Sequence, residues 1–581
     1  MKDDQFNPFR VPGPRFIARP LELLSGLAAV EKVYRKILAM PQDRDFFRNC
    51  ADAMGFKIAL SDADRLRLPT TGPLVIVANH PSGMTEGVAA IAALREIRPD
   101  VKTLGMTFLS RVPEMAEAFF SVDVFGGAKS AAAANRACVV QAVKWLEAGH
   151  AVLVFPAGVV AHRSWGDRCH LRESPWQNGA FRLAAKTGAK VVPVGFGLRN
   201  RFRWHMLGLL HPLLRTINLP NEFIANRGKT VPMRIGEPQD PPAESAAEYM
   251  RVRALVLAKS AGAAADRTAA PAPAAEPVAP EGDLAAIAEE LASLPQDALL
   301  IPDAGPYRVW IAKAGDVPLT LAETCRLREL TFRANNEGTG KAVDTDRFDA
   351  DYLHLILWDD ANKRIVGGSR LGDAADIVPR KGVGGLYTRS LFGFGQPLLD
   401  KLNGAFELGR TFITAGYQRD YMPLYLMWKA LYVYFQRRPD VHTLFGTVSI
   451  PSSTPPSARA LMAAGLMAAH GDQELAALVK SPHPPRAYAP EEAGPFLRDA
   501  TAFARIVRDA TPDGRGFPVL LRHYLKLGGR FAAFSEDPHF GDCLDGFVFV
   551  DMASPGVGRF IKMLAKTAER SKTASAKEQL C

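Results

Sequence analysis

Fourteen of the twenty residues from Ala261 to Pro280 are alanine or proline. Such a stretch buries little side chain and runs extended, so residues 261–283 read as a linker. It cuts the 581-residue chain into two parts, 1–260 and 284–560, each long enough for its own core. A basic tail, 561–581, follows. No internal repeat relates the parts. Hydrophobic residues make up 48% and charged residues 23% of the chain, which excludes a largely disordered protein. No apolar run approaches the ~20 residues of a membrane-spanning helix. The nearest, Ala151–Ala161, is broken by Pro156. The N-terminal residues show no apolar core of a secretory signal, so none is expected.

Cys50, Cys138, Cys169, Cys325, Cys543 and Cys581 have no paired spacing. That argues against disulfides and a zinc site and for a reducing compartment. The charge is uneven. Met1–Ser260 holds 35 basic and 23 acidic residues, and the remainder 36 and 38. A basic half calls for an anionic partner. Neither zinc-finger spacing nor an RNP-like motif is found, so nucleic acid is not expected. Composition alone leaves an anionic membrane surface and an acidic protein open.

In the first part an amphipathic helix is expected over Pro20–Met40, with Leu23, Leu27, Val30, Tyr34 and Ile37 on one side. Strands are expected at Leu74–Ala78, Ala151–Phe155 and Val191–Val194. Helices are expected at Glu86–Glu96, Ala131–Ala148 and Gly179–Thr187. This alternation predicts an α/β sandwich. The second part starts with a helix at Leu284–Leu294. It continues with strands at Tyr307–Ala312, Tyr352–Trp358, Arg364–Arg370 and Leu444–Ser449, and helices at Leu319–Arg333 and Tyr421–Gln436.

Asn79 and His80 stand where the first strand ends, before Pro81 and Gly83 turn the chain into a helix. Ends of strands in α/β sheets are where ligands bind. A histidine there can take a proton from a hydroxyl, and Glu86 at the next helix start can hold its tautomer. A histidine that only caps the turn is the plain alternative. Two further strands end in Phe155-Pro156-Ala157-Gly158, where bare backbone can approach a substrate, and in Val192-Pro193-Val194.

In order and spacing, these segments and Thr107–Gly127 resemble the four blocks of the glycerolipid (lysophospholipid) acyltransferases, over about Pro20–Pro238. The resemblance implies that His80 activates a hydroxyl, Glu86 orients it, and Asn79, Gly83, Phe155, Pro156 and Gly158 line the substrate, with backbone near Gly158 holding the oxyanion. This sequence departs from the pattern in three ways. Its acid is one residue late, Ala157 replaces a glutamate, and the second block lacks the arginine that clasps a glycerol phosphate. The acceptor is therefore expected not to be a phospholipid precursor. Arg199–Trp204, which mixes arginines with aromatics, fits either a headgroup interface or a solvated loop.

In the second part, Arg328 and Phe332 lie on a predicted helix, Asp346 and Asp349 precede a strand, Arg370 ends one, and Glu407 and Arg410 stand in Phe406-Glu407-Leu408-Gly409-Arg410. Each alone reads as a surface ion-pair partner. Together they resemble the acyl-homoserine-lactone synthase branch of the GNAT-like acyltransferases. The longer text from Tyr307 to Met552 resembles the hemolysin-like N-acyltransferases that make lyso-ornithine lipid, and the fusion resembles bifunctional ornithine lipid synthases. A GNAT-like mixed sheet with helices is implied. So are Glu407 as proton acceptor for the amine, Asp346 and Asp349 as positioning groups, and Arg328, Phe332, Arg370 and Arg410 as substrate or scaffold contacts. No GNAT pyrophosphate loop follows Ile413. This favours acyl carrier protein as donor partner, with coenzyme A the other thioester allowed, and no bound cofactor or metal.

The resemblance implies N-acylation of ornithine with a 3-hydroxyacyl chain, then O-acylation of the lyso-ornithine lipid. The expected place is cytoplasmic, peripheral on the inner face of the bacterial inner membrane. The rival is a lysophospholipid acyltransferase with a non-catalytic carrier-docking domain.

Overall fold

A computed structural model describes residues 9–578 except 12, 42, 107–111, 123–127, 166–169, 241–245, 266–274, 403 and 486–490. Cys169, Cys581 and much of the second block lie outside the described residues. The chain forms two α/β units. The first joins Met1–Thr268 with Pro490–Phe496 and Ala504–Gly516, and the second takes the rest.

In the first unit, β1 (Lys57–Ala59), β2 (Leu74–Ala78), β3 (Val101–Met106), β4 (Phe119–Val122), β5 (Ala151–Val154), β6 (Lys190–Phe196) and β7 (Thr230–Ile235) form one sheet in the order β1-β7-β6-β2-β5-β3-β4. All neighbours are parallel except β6 and β7. The unbroken apolar run of β2 follows from this. Leu74, Ile76 and Ala78 enter one core layer and Val75 and Val77 the other, as a parallel strand covered on both faces requires. The helix Met84–Ile97 packs Ala89 to Leu94 into the first layer. The helix Gly179–Thr187, found at the expected residues, packs Ala180, Phe181 and Leu183 into the second.

Three sequence expectations need correction here. The amphipathic helix over Pro20–Met40 is two helices, Arg15–Ser25 and Leu27–Leu38. Gly26 between them sits at φ +85°, and a Cβ there would collide with Asn221. The break rotates the halves, so Val30 and Ile37 are buried while Leu23 is exposed. The linker begins later than expected, because the helix Ala246–Ala265 runs into it. Its described end is pinned to the second unit by hydrogen bonds from Glu276 N–H to Gly340 and from Ala279 N–H to Ala342. Residues 561–578 of the basic tail continue one helix, Pro555–Glu578, which buries Phe560, Leu564 and Ala568.

The second unit contains β8 (Leu299–Ala304), β9 (Tyr307–Lys313), β10 (Leu353–Asp359), β11 (Arg364–Asp373), β12 (Ala405–Ile413), β13 (Thr443–Ile450), β14 (Arg530–Asp537) and β15 (Cys543–Asp551). Their order is β8-β9-β10-β11-β12-β13-β15-β14. Neighbours are antiparallel except β12 and β13, which pair from Ala405–Thr443 to Leu408–Gly446. Beyond Gly446, β13 continues its pairing with β15 to Ile450. The two parallel strands therefore part at mid-sheet. The helices Pro318–Arg333 and Tyr421–Gln436 flank the sheet.

Candidate active sites

In the first unit, β2 ends at Ala78 and the chain turns through Gly83, at φ +91°, into the helix Met84–Ile97. This brings His80 and Glu86 together, with His80 Nδ1 3.0 Å from Glu86 Oε1. Glu86 is fully buried. It also accepts hydrogen bonds from Ser82 N–H at 2.9 Å, Gly83 N–H at 2.6 Å and the Ser82 hydroxyl. Burial alone would raise its pKa, but His80 and these donors outweigh burial and hold it below the ordinary carboxylate value. With Glu86 on Nδ1, Nε2 is left as the basic nitrogen of a neutral imidazole. The Phe155 ring covers the imidazole at 4.6 Å between centroids.

The other expected residues of this site divide. Gly83 and Phe155 adjoin the pair. Asn79 does not face a substrate, because its amide exchanges two hydrogen bonds with the Phe196 backbone, 3.1 and 2.7 Å, tying β2 to β6. The Gly158 N–H is committed to the Phe155 carbonyl at 3.0 Å in a turn with φ +67°, so it is not a free oxyanion donor. The Pro156 carbonyl accepts from Gln177 N–H.

Sequence reasoning missed Glu173. Its carboxylate accepts the His80 backbone N–H at 3.1 and 3.2 Å and the Trp176 indole N–H at 3.1 Å. Burial pushes its pKa up to about 7 against the partial relief these donors and His80 provide. No spacing in the sequence signals it. It reaches His80 only across a separation of 93 residues.

The second site is framed by three arginines and three aspartates. Arg328 donates to Asp344 at 3.1 Å, to both oxygens of Asp349 at 2.8 and 3.2 Å, and to the Asp344 carbonyl. Arg370 donates to Asp346 at 2.7 and 2.8 Å and to Asp349 at 2.9 Å. Burial would raise the pKa of Asp349 and Asp346, but Arg328 and Arg370 outweigh it and keep both ionised. Arg328 and both Nη groups of Arg370 are taken up by the frame, and among the described residues only the buried Arg370 Nε of the two has no hydrogen-bond partner. Arg410 differs. Its Nη1 donates to Tyr387 Oη at 3.0 Å, Nε lies 3.0 Å from Asp344, and Nη2 is 3.8 Å from Asp346. Its guanidinium also lies over the Tyr387 and Phe540 rings, at 4.8 and 4.5 Å.

Glu407 is buried, with both oxygens occupied. It accepts Tyr387 N–H at 3.0 Å, Thr388 N–H at 2.5 Å and the Tyr352 hydroxyl. That is the environment of a brace, not of a free proton acceptor as expected from sequence. Phe332 packs into the core against Phe412 and Phe540, so it is not a substrate contact. Asp344, Tyr352 and Tyr387 were missed, since nothing in the sequence marks them until the fold closes around the arginines. Among the described residues no cluster of His, Cys, Asp and Glu could hold a metal ion.

Residues 60–197 match the family described as Acyltransferase, and residues 327–428 match the Acetyltransferase (GNAT) domain. Two acyltransferase-type regions stand in tandem on this chain. The first contains His80, Glu86 and Glu173, and the second contains Arg328 to Arg410. The chain is 32% identical over 154 residues to the glycine N(alpha)-acyltransferase of Phocaeicola vulgatus, covering 24% of this chain and 47% of that protein. It is 25% identical over 205 residues to the lyso-glycine lipid O-acyltransferase of the same organism, covering 33% of this chain and 68% of that protein. The glycine N(alpha)-acyltransferase of Bacteroides thetaiotaomicron matches at 30% over 154 residues, 25% of this chain and 46% of that protein. The chain thus spans about half the length of the N-acyltransferase relatives it matches. A solved CoA-dependent acyl-homoserine lactone synthase aligns at 11% identity, over 44% of this chain and 88% of its own, with a TM-score of 0.23, too low a likeness to carry an inference.

Proposed function

We propose that this chain builds a diacylated aminolipid in two transfers. The second unit N-acylates the α-amino group of an amino acid with a 3-hydroxyacyl chain, and the first unit O-acylates the new hydroxyl. The observation that carries this is the tandem itself. One chain joins regions similar to a glycine N(alpha)-acyltransferase and a lyso-glycine lipid O-acyltransferase, two separate proteins of one organism. The amino acid proposed is ornithine, from the similarity over Tyr307–Met552. Glycine is the competitor that the relatives' names raise.

In the O-transfer, His80 Nε2 takes the hydroxyl proton while Glu86 stabilises the imidazolium. The oxygen attacks the thioester carbonyl, the C–S bond breaks, and the proton leaves with the thiol. In the N-transfer the thioester is already activated, so the amine need only lose a proton. Acyl carrier protein is the proposed donor.

An anionic bilayer is the proposed docking surface for the first unit. Phe16 and Leu24 on one helix, and Phe202 and Leu210 on another, are each at least 65% exposed. Arg15, Arg19 and Arg203 lie on the same helices. Exposed apolar side chains beside arginines suit a headgroup interface. No described helix is long and apolar enough to cross a membrane.

The test is lipid mass spectrometry after expression in a bacterium lacking aminolipids. A diacylated aminolipid is expected, its headgroup mass naming the amino acid, and His80→Ala should accumulate the monoacyl form. A well-expressed chain that yields no new aminolipid when hydroxyacyl carrier is present would sink the proposal.

A further inference from the structure

Glu407 is the acid that the sequence offers for the amine's proton, and its oxygens are filled. The reaction therefore needs another acceptor, one with a free lone pair near Arg410. Glu337 is placed for this. The helix Pro318–Arg333 ends, and the chain turns so that Glu337 N–H donates to the Phe332 carbonyl at 2.9 Å. Asn336 sits at φ +60°, the left-handed region that asparagine enters more readily than other non-glycine residues. Gly541, at φ +66°, packs so closely on the Asn336 carbonyl that a Cβ would not fit. The turn is thus pinned from both sides. The Phe540 ring next to it touches both Phe332 and the Arg410 guanidinium.

The Glu337 side chain is half-buried. Among the described residues no hydrogen bond to its carboxylate is found, in contrast to every other acid of this site. It feels the charges of Asp545 and Arg410. Asp545 is itself fully buried and accepts the Ser449 hydroxyl at 2.7 Å, across the β13–β15 pair where β13 has left β12. Phe540 and Gly541, one stacked on the Arg410 guanidinium and the other packed on the Asn336 carbonyl and the Glu337 backbone, thus bring the turn that carries Glu337 to the side of the site where Arg410 lies.

We propose that Glu337 takes the proton from the amine in the second unit's acyl transfer. The proposal rests on the N-acylation reading above and names the residue that performs its first step. The ammonium gives one proton to the Glu337 carboxylate. The freed nitrogen lone pair forms the C–N bond at the thioester carbonyl, and the C–S bond breaks. The second nitrogen proton goes to the departing thiolate, and Glu337 returns its own to solvent. Arg410, whose Nη2 comes no closer than 3.8 Å to Asp346 and so makes no hydrogen bond to it, is the group left to meet the amino acid's carboxylate.

The electrostatics agree with this. Burial, and then the like charge of Asp545, push Glu337 up to about 7, with Arg410 opposing. A general base is most effective when its pKa lies near the working pH. The charged groups that set this value are Arg410 on β12 and Asp545 on β15, with Asp537 on β14 acting through Asp545.

The test uses the purified full chain, ornithine or glycine, and a 3-hydroxyacyl thioester of acyl carrier protein. Product is read by mass spectrometry. Glu337→Gln should lower kcat near neutral pH by roughly 10²–10⁴-fold, with KM for the amino acid within about threefold. Raising the pH should recover part of the loss, as the amine deprotonates unaided, and Glu337→Asp should fall between. O-acylation of a supplied lyso-lipid by the first unit reports on folding. If Glu337→Gln does not fold, Glu337→Asp decides on the same pH profile. A kcat within about threefold of the parent with an unchanged pH profile overturns the assignment. A parent chain that forms no acyl-amino acid overturns the N-acylation reading itself, a result distinct from loss in the variant alone.

Discussion

Glu407 and Arg410 lie three residues apart on one strand, yet both reach Tyr387. Glu407 accepts its backbone N–H at 3.0 Å, and Arg410 donates to its hydroxyl at 3.0 Å. Residues i and i+3 of a regular strand face opposite sides. Here Arg410 is at φ +51° and the β11–β12 register slips between Gly368 and Arg370. This bulge brings Arg410 to the Glu407 face. A guanidinium held there at a conformational cost of about 1–3 kcal/mol is expected to serve the site. Arg410→Lys keeps the charge and loses the fork. Acyl-amino acid formation should fall at least about tenfold, while the urea midpoint moves little.

Glu407→Gln should act chiefly on stability. The carboxylate satisfies two backbone N–H groups and a buried hydroxyl, and an amide cannot accept at both ends. A loss of about 1–3 kcal/mol is expected from urea unfolding.

Glu86 sets an acid limit on the first site. Its folded pKa is lowered, so its stabilisation is present above the unfolded carboxylate value and is lost as pH falls through the folded one. Glu86→Gln should flatten this acid limb in thermal melts. It should also slow O-acylation by about 10²-fold or more, since His80 loses the group that fixes its tautomer.

Glu173 carries the opposite sign. Its folded pKa is raised to about 7, so the folded state holds the proton longer than the unfolded chain, and stability declines as pH rises between the two values. One oxygen already accepts both His80 N–H and Trp176 Nε1–H, and glutamine can keep both bonds. Glu173→Gln should therefore gain about 1–3 kcal/mol relative to the parent above pH 7, measured by melts at pH 6 and 8. No gain at pH 8 would show that the carboxyl is not strained by its burial.

The first unit depends on a segment from far along the chain. Arg253 is fully buried and paired with Asp509 at 2.5 and 3.1 Å, while Arg234 donates to the Thr511 carbonyl at 3.0 Å. Asp509→Ala leaves an unpaired buried guanidinium and should cost about 3–5 kcal/mol. Arg253→Met with Asp509→Leu should recover much of that loss. A fragment ending at Thr268 should melt below the full chain.

The apolar pattern was enough to read β2, β5, β6, β9, β10, β11 and β13, the helices Gly179–Thr187 and Tyr421–Gln436, and the turn that carries His80, but not β12, where Glu407 and Arg410 lie, or the other strands. Local spacing also places Glu86, because a strand end, a glycine turn and the first helical turn form one short piece of chain. Glu173 and Glu337 were not legible. Each reaches its site through contacts between segments distant in sequence, and an acidic residue in a polar loop has the same local signature whether it is solvated or buried. The same ambiguity made Asn79, Gly158 and Phe332 read as substrate contacts, although their polar groups or rings are consumed by the fold.

What the sequence determined by itself is what local chemistry can encode: two α/β units, a histidine and a carboxylate at one strand end, and a set of arginines and aspartates in order. Tertiary structure alone decided which of those charges remain available. Three aspartates take up Arg328 and the Nη groups of Arg370 and leave Arg410 Nη2 beyond hydrogen-bond reach of Asp346, Tyr352 and two backbone N–H groups fill Glu407, and the carboxylate of Glu337 accepts no hydrogen bond among the described residues. Hydrogen-bond capacity is finite, and where it is spent depends on which distant segments the fold brings together.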